Sequence, residues 1–143
     1  MSLDLNRCQK IRNTLMQWYQ KNRRRFPWRI ESIDPFYIHV AEIFLRQTRA
    51  VVVERVYNEF ISKFPTPGCI IQAPEVSLME VMKPLGITSR VQQIKELAKL
   101  VEMRFHGKIP TDKETLKTMP GIGEYTAAAV RIFAFNERDV LID

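Results

Sequence analysis

The residues most suited to chemistry in this sequence form a turn near its end, within TMPGIGEYTAAAVRI at 118–132. Pro120 ends one helical run, and Gly121 and Gly123 free the backbone before the next. Such a turn exposes several N–H groups at a helix N-terminus, where they and the helix dipole can bind a phosphate oxygen. Both glycines are small enough for a phosphodiester backbone to come close. The local pattern is equally consistent with an ordinary helical hairpin.

A second candidate group is the carboxyl of Glu42, which stands among apolar neighbours in HVAEIFLRQT. Desolvation of the charged form in such a place raises the pKa of a carboxyl toward that of a general acid. An ion pair with one of the abundant arginines explains Glu42 equally well. His39 and His106 have no companions, so each is interpreted as a surface residue or a satisfied core residue.

The composition favours one intracellular domain with a polyanionic partner. A chain of 143 residues with 45% hydrophobic content can bury a core, so we expect residues 1–143 to form a single domain. The net charge of +6 favours a polyanion. Cys8 and Cys69 are too few for a disulfide framework, and no Cys/His cluster could hold zinc or an iron–sulfur centre. We find no signal peptide or membrane span.

Helical spacing of apolar residues predicts an all-α bundle with short connections. A first helix ends near the basic run 23–25, which is interpreted as a solvated face. Asp34-Pro35 opens a helix that should reach Thr48, because Asp34 can cap free amides and Pro35 needs no N–H donor there. Further helices are expected over 51–64 and Ser89–Phe105.

The remaining segments are shorter. Two apolar stretches at 69–73 and 76–82 are bounded by prolines, and Thr111 with Glu114 forms a capping box that opens a short helix before the glycine turn. The β-prone stretch at 140–142 is too short and too terminal to found a sheet.

Four separated motifs resemble the helix-hairpin-helix DNA glycosylase superfamily that includes endonuclease III and the MutY adenine glycosylase. They are FPWR at 26–29, DPFYIHVAEIFLRQT at 34–48, MPGIGEYTAAAV at 119–130 and VLID at 140–143. They follow the family's order and spacing along the chain. Within the superfamily, the sequence is most similar to the thymine-DNA mismatch glycosylases. The fold implied is a six-helix domain with a helix-hairpin-helix motif, preceded by an N-terminal helix.

The resemblance also implies roles for individual residues. Asp143 occupies the position of the catalytic aspartate, which stabilises an oxocarbenium-like transition state. Glu42 matches a glutamate that protonates the base in MutY-type enzymes. Tyr125 stands where bifunctional relatives have a Schiff-base lysine, which indicates a monofunctional glycosylase. Arg46 and Gln47 lie where the family inserts a wedge into the space left by a flipped nucleotide.

The implied partner is double-stranded DNA with a mismatched or damaged base. The residues expected to contact it are Gly121, Ile122, Gly123, Tyr125, Thr126, Arg46 and Gln47. The backbone carbonyls of Met119 and Ile122 are expected to offer a site for K⁺ or Na⁺. Otherwise we expect no cofactor, because ligands for the family's usual [4Fe–4S] cluster are missing from this sequence.

The chain resembles the family's N-terminal part, stopped near the catalytic aspartate. We therefore expect exposed apolar surface on the first helix and self-association through it. The leading interpretation is a thymine or uracil glycosylase acting in base-excision repair at the nucleoid, with this chain's own activity in question. A MutY-like adenine glycosylase and a non-catalytic DNA-binding module are the alternatives.

Overall fold

A computed structural model of the chain describes residues 4–30, 32–86 and 88–141. These ranges contain no strand, so the predicted all-α class is confirmed. The α-helices are α1 (Leu5–Asn22), α2 (Pro35–Leu45), α3 (Ala50–Lys63), α4 (Pro67–Gln72), α5 (Glu75–Met82), α6 (Ser89–Phe105), α7 (Lys113–Lys117) and α8 (Glu124–Phe135). Short 3₁₀ turns lie at Pro27–Arg29 and Lys83–Leu85. None of the helices in the described ranges combines the length and apolar character needed to cross a membrane.

The helix starts agree closely with the predicted caps. The Asp34 side chain accepts a hydrogen bond from the Phe36 amide at 2.8 Å, and α6 spans the predicted residues. At α7 the predicted cap was wrong. Asp112 rather than Thr111 is the N-cap, since its carboxylate accepts the Thr115 amide at 2.8 Å. The Thr111 carbonyl instead accepts a hydrogen bond from Arg131 at 2.6 Å.

Helix α2 runs through the centre of the core. It packs against α8, α3 and α6, and its residues from Ile38 to Phe44 are all buried. Ala127, Ala128 and Ala129 of α8 are also buried, and their small side chains allow close helix packing. The helix ends at Leu45, three residues before the predicted Thr48.

Helix α1 lies apart from this core. All of its residues are exposed, including the apolar side chains of Leu5, Ile11, Leu15 and Trp18. The predicted stripe is therefore present, and it is not covered by the described part of the chain. An isolated helix of this length is only marginally stable in water.

His39 is a core residue, but the expectation that it is satisfied there was wrong. The side chain is fully buried on α2, and within the described ranges neither ring nitrogen has a hydrogen-bond partner. The pKa of His39 is lowered to about 3, chiefly by desolvation and in part by the nearby Arg46 cation, while the Pro120 carbonyl acts in the opposite direction. The imidazole is therefore neutral in the folded protein.

His39 should make folding stability sensitive to acid. Below pH 6.5 the unfolded chain binds a proton at His39 that the folded chain excludes until about pH 3. The free energy of unfolding should therefore decrease as the pH is lowered from 6.5 to 3, by at most about 1.4 kcal/mol per pH unit. Replacing His39→Leu should flatten this part of the pH profile, as measured by urea unfolding between pH 7 and pH 4.5. His106→Asn, at an exposed site, is the control and should keep the wild-type slope; equal slopes for His39→Leu and wild type would refute the assignment.

Candidate active site

A cavity of about 420 Å³ opens between the end of α2, the 24–29 segment and the start of α8. Its lining brings together five residues that were singled out from the sequence, namely Glu42, Arg46, Gln47, Tyr125 and Thr126. The other lining residues are Arg24, Phe26, Trp28, Arg29, Leu45 and Ala50. Cavities of about 300 to 1,000 Å³ with a few polar groups are typical of small-ligand sites.

Glu42 and Tyr125 bring different polar groups to this cavity. Glu42 is 5% exposed, which confirms the predicted burial of its carboxyl group on α2. Tyr125 follows the first residue of α8 and is 37% exposed. The site therefore combines a carboxyl group from the core with a phenol that solvent can reach.

Arg46 connects the end of α2 to the glycine turn. Its guanidinium donates a hydrogen bond to the Gly121 carbonyl. Gly121 has φ +76°, a conformation that favours glycine, and a Cβ atom there would lie 2.7 Å from Arg46 Nη2. The turn is therefore built around the Arg46 side chain. The predicted wedge role of Arg46 remains a prediction.

Gln47 has an unusual backbone for its residue type. Its φ is +54°, in the left-handed region that costs a non-glycine residue about 1 to 3 kcal/mol. Its side chain is exposed at the mouth of the cavity. Backbone strain of this kind is often found at functional sites, which makes Gln47 a candidate for a functional residue. Its wedge role stays a prediction.

Arg90 is the residue of this region that sequence reasoning missed. It is 3% exposed and donates to the carbonyls of Phe44 at 3.1 Å and of Arg46, and to Thr48 Oγ1 at 2.8 Å. It thereby satisfies carbonyls at the C-terminus of α2 and ends that helix early. The sequence did contain a signal for this role, because Arg90 lies in the first turn of α6, where the helix dipole disfavours positive charge.

Aromatic rings from the FPWR motif form one wall of the cavity. Phe26 stacks on Trp28 with centroids 4.7 Å apart, and Trp28 meets Tyr57 edge to face at 5.3 Å. The Arg24 guanidinium lies 5.4 Å from the Phe26 ring centroid. Arg24 is exposed, as predicted for the basic run, yet it also lines the cavity.

The hairpin presents an uncapped helix N-terminus. Gly123 is the N-cap of α8 and supplies no side-chain hydrogen bond, so the first amides of the helix lack intrahelical partners. The Ile122 amide donates to the Met119 carbonyl at 3.2 Å. The proposed cation site at the Met119 and Ile122 carbonyls stays a prediction.

Two expectations from the sequence concern the catalytic aspartate and metal binding. Asp143 lies outside the described residues. In the described ranges no three His, Cys, Asp or Glu side chains are grouped to hold a metal ion. The two cysteines, Cys8 on α1 and Cys69 on α4, cannot supply the four thiolates of a [4Fe–4S] cluster.

Several known DNA repair proteins are similar to this chain. The family model described as HhH-GPD superfamily base excision DNA repair protein matches residues 40–140. The chain belongs to the HhH-GPD superfamily. It is 40% identical over 143 residues to a thymine-DNA glycosylase of Aeropyrum pernix, covering 99% of this chain and 64% of the relative.

Two further relatives are a solved thymine-DNA glycosylase structure and an adenine DNA glycosylase. A solved structure of a thermostable thymine-DNA glycosylase superposes with a TM-score of 0.88 at 33% identity, covering 96% of this chain and 64% of the other. An adenine DNA glycosylase of Mycobacterium tuberculosis is 33% identical over 129 residues, covering 90% of this chain and 42% of the relative. The chain thus spans less than two thirds of the length of these relatives.

The two hairpin glycines should respond differently to alanine. Gly121→Ala should destabilise the fold by about 1 to 3 kcal/mol, because φ is positive and the new Cβ displaces Arg46. Gly123→Ala should cost less, at most about 1 kcal/mol, because alanine is a poorer N-cap than glycine, but φ is −100° and a Cβ atom there would meet no other part of the described chain within 4 Å.

The same pair tests the contact with DNA. Thermal unfolding gives the stability of each variant, and fluorescence anisotropy gives its affinity for several unrelated duplexes. Because Gly123→Ala leaves the fold intact, its loss of affinity, equal for all sequences, would report the approach of the phosphate backbone. Wild-type affinity in Gly123→Ala would remove Gly123 from the interface.

Proposed function

We propose that the chain forms the nucleotide pocket and DNA-binding hairpin of a monofunctional mismatch DNA glycosylase. Its substrate is a thymine or uracil that has been flipped out of double-stranded DNA at the nucleoid. The observation that carries the proposal is the single cavity lined by Glu42, Arg46, Gln47, Tyr125 and Thr126. These residues come from two distant segments, so their convergence is a property of the fold.

The proposed reaction is hydrolysis of the N-glycosidic bond. The bond between the base nitrogen and C1′ breaks with its electron pair remaining on the base, and the oxygen of water bonds to C1′. Asp143 stabilises the positive charge that develops on the sugar. Glu42 donates a proton to the departing base and recovers one from the attacking water. The products are the free base and an abasic site.

Arg46 and Gln47 act before this step. Extruding a base costs a few kcal/mol, least at a mismatch, and a side chain that fills the gap holds the duplex open. The strained Gln47 backbone and the fixed Arg46 side chain lie beside the cavity, where a plug would be needed. The uncapped N-terminus of α8 offers amides to a phosphate of the same strand.

The charge distribution supports a nucleic-acid partner. Residues 4–25 contain seven Lys and Arg against one Asp, so they carry the whole net charge of +6. Arg24, at the end of this basic stretch, lines the cavity. Attraction through phosphates should make the affinity for duplex DNA fall steeply with added salt.

Tyr125 supports a reaction without strand cleavage, because a phenol cannot form an imine with the sugar. A candidate amine in the hairpin is Lys117, whose Nζ lies 2.6 Å from Glu124 Oε1 and 3.1 Å from Glu114 Oε1. The Glu124 hydrogen bond, followed by that of Glu114, raises the pKa of Lys117. Lys117 is thus held in the ammonium form, which is not nucleophilic.

A MutY-like adenine glycosylase is the second candidate. The buried Glu42 and the 33% identity to an adenine DNA glycosylase favour it. A DNA-binding module without activity is the third, because the uncapped N-terminus of α8 can bind a phosphate without any catalytic group. Duplexes carrying T·G, U·G, or A opposite 8-oxoguanine, followed by alkaline cleavage, separate the three. Cleavage of T·G or U·G alone is expected; cleavage only opposite 8-oxoguanine, or of none, would reject the leading proposal.

The absence of a lyase step gives a sharper test. With a cleavable duplex and borohydride, no covalent protein–DNA adduct should form, and strand breaks should appear only after alkali. Tyr125→Phe is the matched control and should also trap nothing, whereas Tyr125→Lys places an amine at the site and should give an adduct. A borohydride-trapped adduct in the wild-type protein would show that another amine performs lyase chemistry.

The exposed stripe of α1 is the surface that we propose for self-association. The same helix carries much of the basic charge, so two copies repel each other at low salt. Sedimentation equilibrium should therefore show more dimer at high salt than at low salt. Replacing Leu15→Glu and Trp18→Glu should abolish the dimer; a chain that is monomeric at all salt concentrations would refute this interface.

A further inference from the structure

The segment that follows α8 is held in place by an ionic network. Asn136, with φ +53°, ends the helix, and residues 137–141 continue without regular secondary structure. An irregular segment of this kind needs side-chain contacts to define its path. Here those contacts converge on Asp139, whose side chain is 11% exposed.

Asp139 makes three hydrogen bonds in this segment. Its Oδ1 accepts from Lys113 Nζ at 3.0 Å and from the Val140 amide at 2.8 Å, and its Oδ2 accepts from Arg131 Nε at 3.0 Å. Lys113 begins α7 and Arg131 belongs to α8, so one carboxylate ties the segment to both helices of the hairpin. The Lys113 hydrogen bond is the main reason that the pKa of Asp139 is lowered.

The network also reaches the first residue of α8. Lys113 Nζ lies 3.1 Å from Glu124 Oε2, and Glu124 is the residue directly before Tyr125. Lys113 therefore contacts a carboxylate at the start of α8 and a carboxylate in the segment that leads to Asp143.

We propose that Asp139 is a positioning residue for base release. By binding Lys113 and Arg131, it holds residues 136–141 against the hairpin and so sets where the chain delivers Asp143 relative to the cavity. This inference rests on the proposed function, because it concerns the reaction in which Asp143 takes part. A carboxylate displaced by about 1 Å can lower a rate by up to about 100-fold.

The test compares Asp139→Asn with Glu137→Gln in the full chain. The first change keeps the size of the side chain but removes its charge. The second removes a charge from the same segment, where the Glu137 side chain is 52% exposed and lies 3.9 Å from Arg131 Nη2. Three quantities are measured for each protein: amide exchange over 137–141, the dissociation constant for a T·G duplex, and the single-turnover rate of base release at saturating protein.

For Asp139→Asn we expect faster exchange in the segment and a release rate reduced by about 10- to 100-fold, with DNA affinity within about twofold of wild type. Glu137→Gln should match wild type in all three measurements. Lys113→Met should slow release in the same way, and the double variant Lys113→Met/Asp139→Asn should be no slower than the slower single variant, since both remove one interaction.

Several outcomes would overturn the role of Asp139. Exchange that does not change would show that the network does not hold the segment, and a release rate that does not change would show that the held segment does not position Asp143. An equal loss of DNA affinity and rate would indicate a general structural defect. If neither the wild-type protein nor the variants release a base, the proposed function is refuted. If wild type and Asp139→Asn release the base at the same rate, only the role of Asp139 is refuted.

Discussion

The guanidinium of Arg90 at the end of α2 is the interaction on which the arrangement of the site depends. A helix end leaves carbonyls without partners and carries a partial negative charge. Arg90 enters from α6, where it is almost fully buried, and supplies several donors from one rigid plane. No carboxylate appears among its hydrogen-bond partners in the described residues. The helix end itself therefore takes the place of a counter-charge, and desolvation lowers the pKa of Arg90 without removing its proton.

The positions of the residues at the cavity mouth depend on the point at which α2 ends. Because Arg90 holds the Arg46 carbonyl, the chain leaves the helix after Leu45 and Gln47 enters the left-handed region. The Arg46 side chain can then reach the Gly121 carbonyl in the hairpin. Glu42 is one turn earlier on the same helix, so its distance from the hairpin is set by the same packing. The end of α2 and the hairpin, which are far apart in the sequence, are thus held together by the Arg46 side chain.

The features that could be predicted are those with a local cause. Helix α6 was located to the residue because its apolar period and its ends are local, and the Asp34 cap was identified for the same reason. The α7 cap was assigned to Thr111 because Thr111 and Asp112 are adjacent and both can cap; only the folded backbone decides between them. The end of α2 could not be predicted, since it depends on a residue 44 positions away. Glu42, Arg46 and Tyr125 were selected one by one through the family resemblance, but their convergence on one cavity depends on the tertiary fold. The contacts of Asp139 likewise join segments with no local signal.

The contact between Arg46 and Gly121 also has a consequence for how such sequences can diverge. The two residues are 75 positions apart, and a methyl group at position 121 would occupy the space of the Arg46 guanidinium. A chain that loses glycine at 121 must therefore either shorten the side chain at 46 or move its guanidinium away from the turn. Substitutions at these two positions are expected to occur together among descendants of this gene, linking the history of the helix end to that of the hairpin.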